Sequence, residues 1–530
     1  MRTRVRCGRW IAAALVVMLA ASTAGAQDAG KRKDNKALDG MTALETDLRP
    51  RKAIALSMRD AIRLTLENNL DIKIRGIDPQ SSAEDITIAK ARFDWTFEGS
   101  WSKTRSKTPS ASVLSGAAAS ESESDSISVG LKKTLTTGGT IKPTLTWRRD
   151  ETNSAFATLN PSYTTDAYIT ITQPLLRNAG RKVNLSEIET ARNNTEISKY
   201  SFKTNTINTL SSMQQTYWDL VFAIEDLAVK KKSLRLTKDT LEQTRAQVDA
   251  GILAPIEVTR VRADVASKEE AILNAQRTVE DREDQMRRFI NKKNSSLMEN
   301  IGVIPLQRGA YQVVDLDVIN EIRQGLAYRP DYLSSKISVQ NRDIDLVVAK
   351  NAKLPVVDIS TTLSMNGLGA NTDDSFDLLR DNDFHDWSAS VSVEIPLGNR
   401  AAKADYLKAR LARRQAVYEL DNLQQDVIID VKREARQVGT NLKRIRSTRL
   451  ARELAEERLK AEEEKFKVGE AVILDVLEAQ TLLAEAESNE RRAVVDYNKS
   501  RISLETAKGT LLERNRILLT DDLTPSPIAK

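Results

Sequence analysis

The side chains that could do covalent or metal chemistry in this sequence are few. There is one histidine, His385, inside an acidic stretch from Asp373 to Asp386, and one cysteine, Cys7. A lone imidazole builds neither a nucleophile–base–orienter triad nor a His-rich metal site, so His385 is read as a loop residue. Gly138-Gly139 lies between two strand-like segments instead of opening a helix, so it is not a phosphate-binding loop. Carboxylates abound, but on exposed helices they serve i,i+4 ion pairs more often than acid–base chemistry. No catalytic, cofactor-binding or metal-ligating residue is assigned, and no ATPase module is visible. Two acids stand out by position. Glu257 and Asp475 each follow a glycine after five intervening residues, and each is followed by a valine: Gly251…Glu257-Val258 and Gly469…Asp475-Val476. On residue type alone both suit the first turn of a helix, where a negative charge meets the positive end of the dipole.

The elements that must position such residues follow from composition. The chain has 530 residues, 29% of them charged and only 5% aromatic, a balance typical of long helices. Residues 1–26 read as a secretory signal: Arg2, Arg4, Arg6 and Arg9, an apolar run Ile11 to Ala21, and the small-residue site Ala24-Gly25-Ala26. Eleven apolar residues are too few to cross about 30 Å of hydrocarbon. Without the four signal arginines, 76 basic residues face 74 acidic ones, and the case for nucleic-acid binding loses its basis. Cys7 leaves with the signal, and with it any disulfide, thiol nucleophile or lipidated cysteine. No run of 18 apolar residues follows, so an exported chain of this kind is either soluble or built into a β-barrel.

The sequence then says nearly the same thing twice. Residues 27–52 are a polar, flexible lead-in, and 513–530 a flexible tail. Between them, 53–300 and 301–512 run in parallel. Asn69-Leu70-Asp71 aligns with Arg329-Pro330-Asp331, and Ala89-Lys90 with Ala349-Lys350, at an offset of 260. β segments follow at about 93–173 and 355–396, closing at Pro174 and Pro396, each the junction from strand to helix. Long helical hairpins come next, 176–290 with its tip at 251–257 and 399–508 with its tip at 469–475. Arg181 to Ala250 is 70 residues without a Gly or Pro; as one helix it would span about 105 Å. Leu220, Leu227, Leu234, Leu241 and Val248 repeat every seven residues, as do Val258, Val265, Ile272, Val279 and Met286, which predicts an antiparallel hairpin zipped along a heptad line. Gly76 with Asp78-Pro79 predicts a break in the helix that the second half keeps intact.

The β segments alternate apolar with small polar residues. Trp95, Phe97 and Trp101 share one face, and Trp387, Ala389, Val391 and Val393 another, which fits lipid on one side and water on the other. With an extra hairpin at 127–147, one chain offers four to six strands. Single-chain barrels need at least eight, so these strands can close only by sharing a barrel among subunits.

Taken in order, Leu56-Ser57-Met58-Arg59-Asp60-Ala61-Ile62 with Glu67-Asn68-Asn69, Thr172-Gln173-Pro174-Leu175-Leu176, Tyr217-Trp218-Asp219-Leu220-Val221 and the doubled glycine turns resemble the TolC-like outer-membrane efflux family. The likeness covers nearly all of Leu56 to Leu512. It implies a fold that is mainly α with transmembrane β: a homotrimeric β-barrel, four strands per protomer, continued into a long periplasmic coiled-coil barrel built from two internal repeats. It implies a passive exit duct in the Gram-negative outer membrane for efflux or type I secretion, served by a periplasmic adaptor and an inner-membrane transporter. Gly251, Val468 and Gly469 would form the tips where the adaptor docks. Asp475 and Glu478, with Glu257 by internal equivalence, would form an acidic ring at the entrance. Trp95, Phe97, Trp101 and Trp387 would face outer-membrane lipid. Two positions depart from the family's entrance lock, a tyrosine before the glycine and an arginine after it: here they are Phe466 and Ala471. The competing reading is an exported periplasmic coiled-coil scaffold with a soluble β domain.

Overall fold

The computed structural model describes residues 53–109, 119–291, 302–307, 309–519 and 525–527. The expected signal and lead-in lie outside them. In chain order the elements begin with strand β1 (Ala53–Leu56), helices α1 (Met58–Asn68) and α2 (Leu70–Ala91), and strands β2 (Trp95–Pro109), β3 (Ala119–Thr134), β4 (Thr140–Thr152) and β5 (Ser162–Pro174). Helices α3 (Arg181–Asn184), α4 (Ser186–Asp249) and α5 (Ile256–Ile290) and strand β6 (Gly302–Pro305) follow. Then come α6 (Val318–Tyr328), α7 (Pro330–Asn351), β7 (Val356–Gly369), α8 (Thr372–Asp381) and β8 (His385–Glu394). The last elements are α9 (Arg400–Lys467), α10 (Ile473–Lys508), α11 (Leu511–Arg514), β9 (Ile517–Leu519) and β10 (Pro525–Pro527). The helix pairs α1–α2 and α6–α7 have identical lengths, 11 and 22 residues each. Among the described residues no helix is long and apolar enough to cross a membrane.

Helices α4 and α9 are 64 and 68 residues long, about 96 and 102 Å at 1.5 Å per residue. Each doubles back, α4 onto α5 and α9 onto α10, and the two hairpins meet along α4 and α10. The heptad residues are not the driest part of that packing. Leu220 is fully buried, but Leu227, Leu234, Leu241 and Val248 are only half-buried, while Ser233, Thr237, Thr240 and Thr244 are buried. The reason is a third helix. Gln480 of α10 lies between Thr237 (3.4 Å) and Thr240 (3.0 Å), so α4 has a polar seam to α10 besides its apolar seam to α5.

Where the hairpins end away from their tips, a core gathers Leu56, Leu66, Phe202, Leu210, Tyr217 and Met286 with Leu511, Leu512 and Ile517. The Tyr217 hydroxyl donates to the Leu56 carbonyl (3.0 Å), tying the incoming chain to α4. β1 and β6 pair in parallel on this core. The expected flexible tail starts later than at 513: Ile517 is buried, Arg514 pairs with Glu505, and β9 pairs with β10. An apolar side chain with a place in the core outweighs the polar composition around it.

Two further expectations are corrected. Helix α2 runs unbroken through Gly76 and Pro79. Proline forfeits one helical hydrogen bond, but α2 packs along α4, with Pro79 buried and the Thr195 hydroxyl donating to the Ser82 carbonyl (2.8 Å). Tertiary contact overrides the local break. The acidic stretch before His385 is not all loop either. Asn371 caps α8 by accepting from the Asp374 N–H (2.9 Å), and Asp373 and Asp374 occupy the first turn, where acids are favourable.

The strands form one antiparallel sheet in the order β2-β3-β4-β5-β7-β8. It has six strands, not the four that the family resemblance implies, because the hairpin around Gly138 is paired on both sides within the sheet. Directly opposite residues share a face, so the pairings join Phe97 to Leu131, Leu145 to Ala167, Ile169 to Leu363 and Leu363 to Trp387 on one apolar side. The other side is a ladder of hydroxyls: Thr146–Ser128 (3.2 Å), Thr170–Thr362 (3.1 Å) and Thr172–Ser360 (3.0 Å).

Candidate functional site

The two glycine turns share one geometry. Gly251 has φ +75° and Gly469 φ +81°, the left-handed conformation in which a Cβ crowds the following carbonyl. No atom lies within 4 Å of where a Cβ would stand at either position, so conformation and not space demands glycine. The N–H after each glycine reaches back to close the helix, Ile252 to the Gln247 carbonyl (2.8 Å) and Glu470 to the Lys465 carbonyl (2.9 Å). Large apolar side chains stay in the open at both turns: Ile252, Ile256, Val468, Val472 and Leu474.

The tips touch one another. Val261 of α5 is buried with Ile473 and Leu477 of α10, and Leu241 and Phe466 pack against them. Phe466 also reaches Leu459, Val476, Ala479 and Leu483. Where the family resemblance has a hydrogen-bonding tyrosine, this chain places an apolar plug that joins its own two hairpins. Ala471, in place of the arginine, has no charge to contribute.

Glu257 and Asp475 sit on the first turns of these return helices, and Glu478 on the second turn of α10. Asp475 caps α10: its carboxylate accepts from the Val472 N–H (3.2 Å), and its own N–H donates to the Val472 carbonyl (3.0 Å). Glu478, one turn on, is exposed and lies 3.6 Å from Arg458. Glu257 pairs with Arg260 at 2.9 Å. Glu257 and Asp475 belong to adjoining turns because Val261 and Ile473 are packed together.

Between the hairpins runs a set of polar links that no motif announced: Lys232–Glu487 (2.7 Å), Lys268–Thr481 (2.8 Å), Ser488–Asp226 (2.5 Å) and Lys499–Asp219 (2.8 Å). Each joins residues more than 200 apart, and so leaves no trace in local periodicity. A buried ionic group closes the other end. Glu505 is surrounded by Lys508 (3.1 Å), the Thr510 hydroxyl (2.6 Å) and Arg514, and Lys508 also reaches Glu321 (2.5 Å). Burial alone would raise the Glu505 carboxyl, but the Thr510 hydrogen bond and the Lys508 and Arg514 cations hold it below its ordinary range.

On the sheet, Trp95, Phe97, Trp101 and Trp387 are all exposed, between 52% and 73%. From Tyr163 to Ile171 this largely apolar face runs about 27 Å along the strand at 3.4 Å per residue, or about 21 Å of height at a tilt of about 40°, against the roughly 25 Å band of an outer-membrane barrel. Trp147 and Tyr163 lie together at one rim, ring centres 6.1 Å apart. Beyond them the same face turns ionic, with Lys103–Glu123 (2.5 Å) and Lys107–Glu121 (2.5 Å). Pro174 ends β5 and is buried; Pro396 follows β8, whose outer edge has no partner strand among the described residues. There a missing N–H costs the sheet nothing. His385 opens β8, exposed, with Nδ1 3.2 Å from the Asn382 carbonyl. Among the described residues no three His, Cys, Asp or Glu side chains come together as metal ligands.

A sequence model of the family described as Outer membrane efflux protein matches residues 144–292 and 322–510. The chain is 23% identical over 313 residues to Nodulation protein T of Rhizobium leguminosarum bv. trifolii, covering 57% of this chain and 63% of that protein. It is likewise 23% identical over 305 residues to Outer membrane protein TolC of Vibrio cholerae, covering 57% of this chain and 67% of that one. The matched stretch thus spans less than two thirds of the nodulation protein. Among solved structures, the fold is similar to the Campylobacter jejuni CmeC outer membrane channel, with a TM-score of 0.63, 16% identity and coverage of 92% of this chain and 94% of that one. It is also similar to the outer-membrane channel OprN, with a TM-score of 0.64, 14% identity and coverage of 85% and 89%. The open state of the Neisseria gonorrhoeae MtrE outer membrane channel is a third, with a TM-score of 0.61, 15% identity and coverage of 88% and 94%.

Proposed function

The chain belongs to the outer membrane efflux protein family, and from that premise we propose that it is one subunit of a passive channel-tunnel across the Gram-negative outer membrane. Three copies pool their strands into one barrel in the lipid and their helical hairpins into one periplasmic tunnel. Each copy contributes two tandem repeats, 53–300 and 301–512. The observation that carries this reading is the sheet: one side with a largely apolar band, the other a ladder of hydroxyls, with too few strands to close alone. In hydrocarbon an open edge leaves N–H and C=O groups without partners, so the strands must be completed by other copies.

The glycine turns then stand at the periplasmic entrance. Exposed Ile252, Val468 and Val472 offer apolar contacts to a periplasmic adaptor, and an inner-membrane transporter supplies the energy. Efflux and type I secretion both fit such a duct. Three copies of Asp475 and Glu478, joined by Glu257, set a negative potential on the symmetry axis that favours cations. Trp95, Phe97, Trp101 and Trp387 face lipid.

The deciding experiment is fractionation of cells producing the full chain, followed by a heat-modifiability gel. An outer-membrane location with a detergent-stable, heat-labile trimer is expected. Recovery as a monomer in the soluble periplasmic fraction would overturn the channel reading in favour of a coiled-coil scaffold.

A further inference from the structure

We propose that the shared barrel of this chain has eighteen strands, six from each of three copies, sealed by pairing β2 of one copy with β8 of the next; the proposal rests on the shared-barrel reading above. Four strands per copy, the count implied by family resemblance, would give twelve. The matched family region begins at residue 144, inside β4, so β2 and β3 are the two strands of the sheet that lie outside the matched stretch. The question is whether they belong to the barrel wall or lie outside it.

Three observations put them in the wall. First, β3 is bonded on both sides, to β2 from Trp95↔Lys133 through Pro109↔Ala119 and to β4 from Ser122↔Thr152 through Thr134↔Thr140. Peeling the hairpin away would break the second ladder and open the edge of β4 to lipid.

Second, both ends of this pair of strands are anchored. The foot of β2 is three residues from α2, and Phe93 packs there on Ala89, Ile188 and Ala191, which fixes it against α4. The β3–β4 turn is tied to the junction after β5: the Gly180 N–H donates to the Thr137 carbonyl (2.9 Å) and the Thr137 hydroxyl to Gln173 (2.9 Å). A Cβ on Gly138 would collide with the Asn178 carbonyl oxygen, so the turn is seated on this junction.

Third, the apolar side continues to both free edges. Phe97 and Trp101 carry it on β2, and Trp387, Val391 and Val393 on β8, where all ten residues are exposed. The two edges also match in direction. Every neighbouring pair in the sheet is antiparallel and the strand count is even, so β2 and β8 run in opposite senses, and joining them continues the same alternation around the ring. At a strand spacing of about 4.8 Å and a tilt of about 40°, eighteen strands enclose a backbone diameter of about 36 Å against about 24 Å for twelve. The outer opening is correspondingly wide.

Cysteine pairs on the hydroxyl side test the assignment in full-length protein in outer membranes. Ser100→Cys on β2 is combined in turn with Ser388→Cys, Ser390→Cys and Ser392→Cys on β8, which covers the unknown register between copies. In a parallel set Thr146→Cys on β4 replaces the β2 position. All are treated with a short bis-maleimide and read on denaturing gels after confirming the heat-labile oligomer. A shift of the band to dimer and trimer size for a β2–β8 pair, with none for the β4–β8 pairs, is the expected result. The reverse pattern would place β2 and β3 outside a twelve-stranded wall and overturn this inference while leaving the channel reading standing. An intact trimer with no link in either set would also overturn it. A soluble monomer with no links would overturn the channel reading itself.

Discussion

Single residues differ in what they ask of their surroundings, and glycines illustrate the range. Gly469 is required by its positive φ alone, in open space, whereas Gly138 has both a positive φ (+94°) and a neighbouring carbonyl in the way. Gly469→Ala is therefore expected to cost about 1–2 kcal/mol, the left-handed penalty. Gly138→Ala is expected to cost clearly more, read as the temperature at which the oligomer band is lost. Equal effects would show that the collision at Asn178 is relieved by movement. Glu505 makes a different demand. Its carboxyl is held low in the folded chain, so its contribution is present above the ordinary carboxylate pKa and is lost as pH falls through the lowered folded value. Glu505→Gln is expected to remove about 2 kcal/mol near neutrality, since it strips charge from hydrogen bonds to Lys508 and Arg514. The variant should also lose less stability than the parent on acidification. A parallel loss in both, followed by thermal melting against pH, would contradict the assignment.

Elements show why heptads alone under-describe these helices. Strict seven-residue spacing locates the α4–α5 seam, and the apolar stripe is present there. The α4–α10 seam is built from Thr237, Thr240 and Gln480, side chains that periodicity scores as surface. Threonine in a helix can return its hydroxyl to the carbonyl four residues back, as Thr240 does to Leu236 (2.9 Å), so it can be buried without an orphaned donor. At the tip, the apolar contact between the hairpins is made by Phe466 and its neighbours. Phe466→Ala is expected to weaken this end by about 2 kcal/mol, the value for a half-buried aromatic that leaves a cavity. The measurement is amide hydrogen exchange, which should speed up over residues 459–483 and leave the Tyr217 core unchanged. Uniform exchange along both hairpins would mean that the tips are not held by this cluster.

For the whole molecule, the acids at the tips gain meaning only through symmetry. Within one copy, Asp475 is a helix cap and Glu478 and Glu257 have nearby arginines, arrangements that any surface helix offers. In the trimer we propose, the same charges repeated around an axis would become a focused field. Asp475→Ala with Glu478→Ala is expected to reduce the cation preference of single-channel currents by several-fold, with the trimer retained. Unchanged selectivity with an intact trimer would remove the acidic ring from the entrance and leave the fold untouched.

Much of this protein was legible without coordinates because its signals are periodic and local. The 3.6- and two-residue alternations, the paired glycine turns and the repeated openings near Leu56 and Val318 are properties of short windows, and they marked the rods, the tips and the two-faced strands. Other features depended on residues far apart in the chain. Helix α2 survives Pro79 because α4 supports it, Ile517 leaves the tail for a core made by α1 and α4, and the hairpin at Gly138 joins the sheet because the turn after β5 receives it. The number of strands in the sheet was of this second kind. Alternation reveals that a segment is a strand, but only its hydrogen-bonded neighbours decide which sheet it enters, and backbone pairing carries no signature in side-chain type.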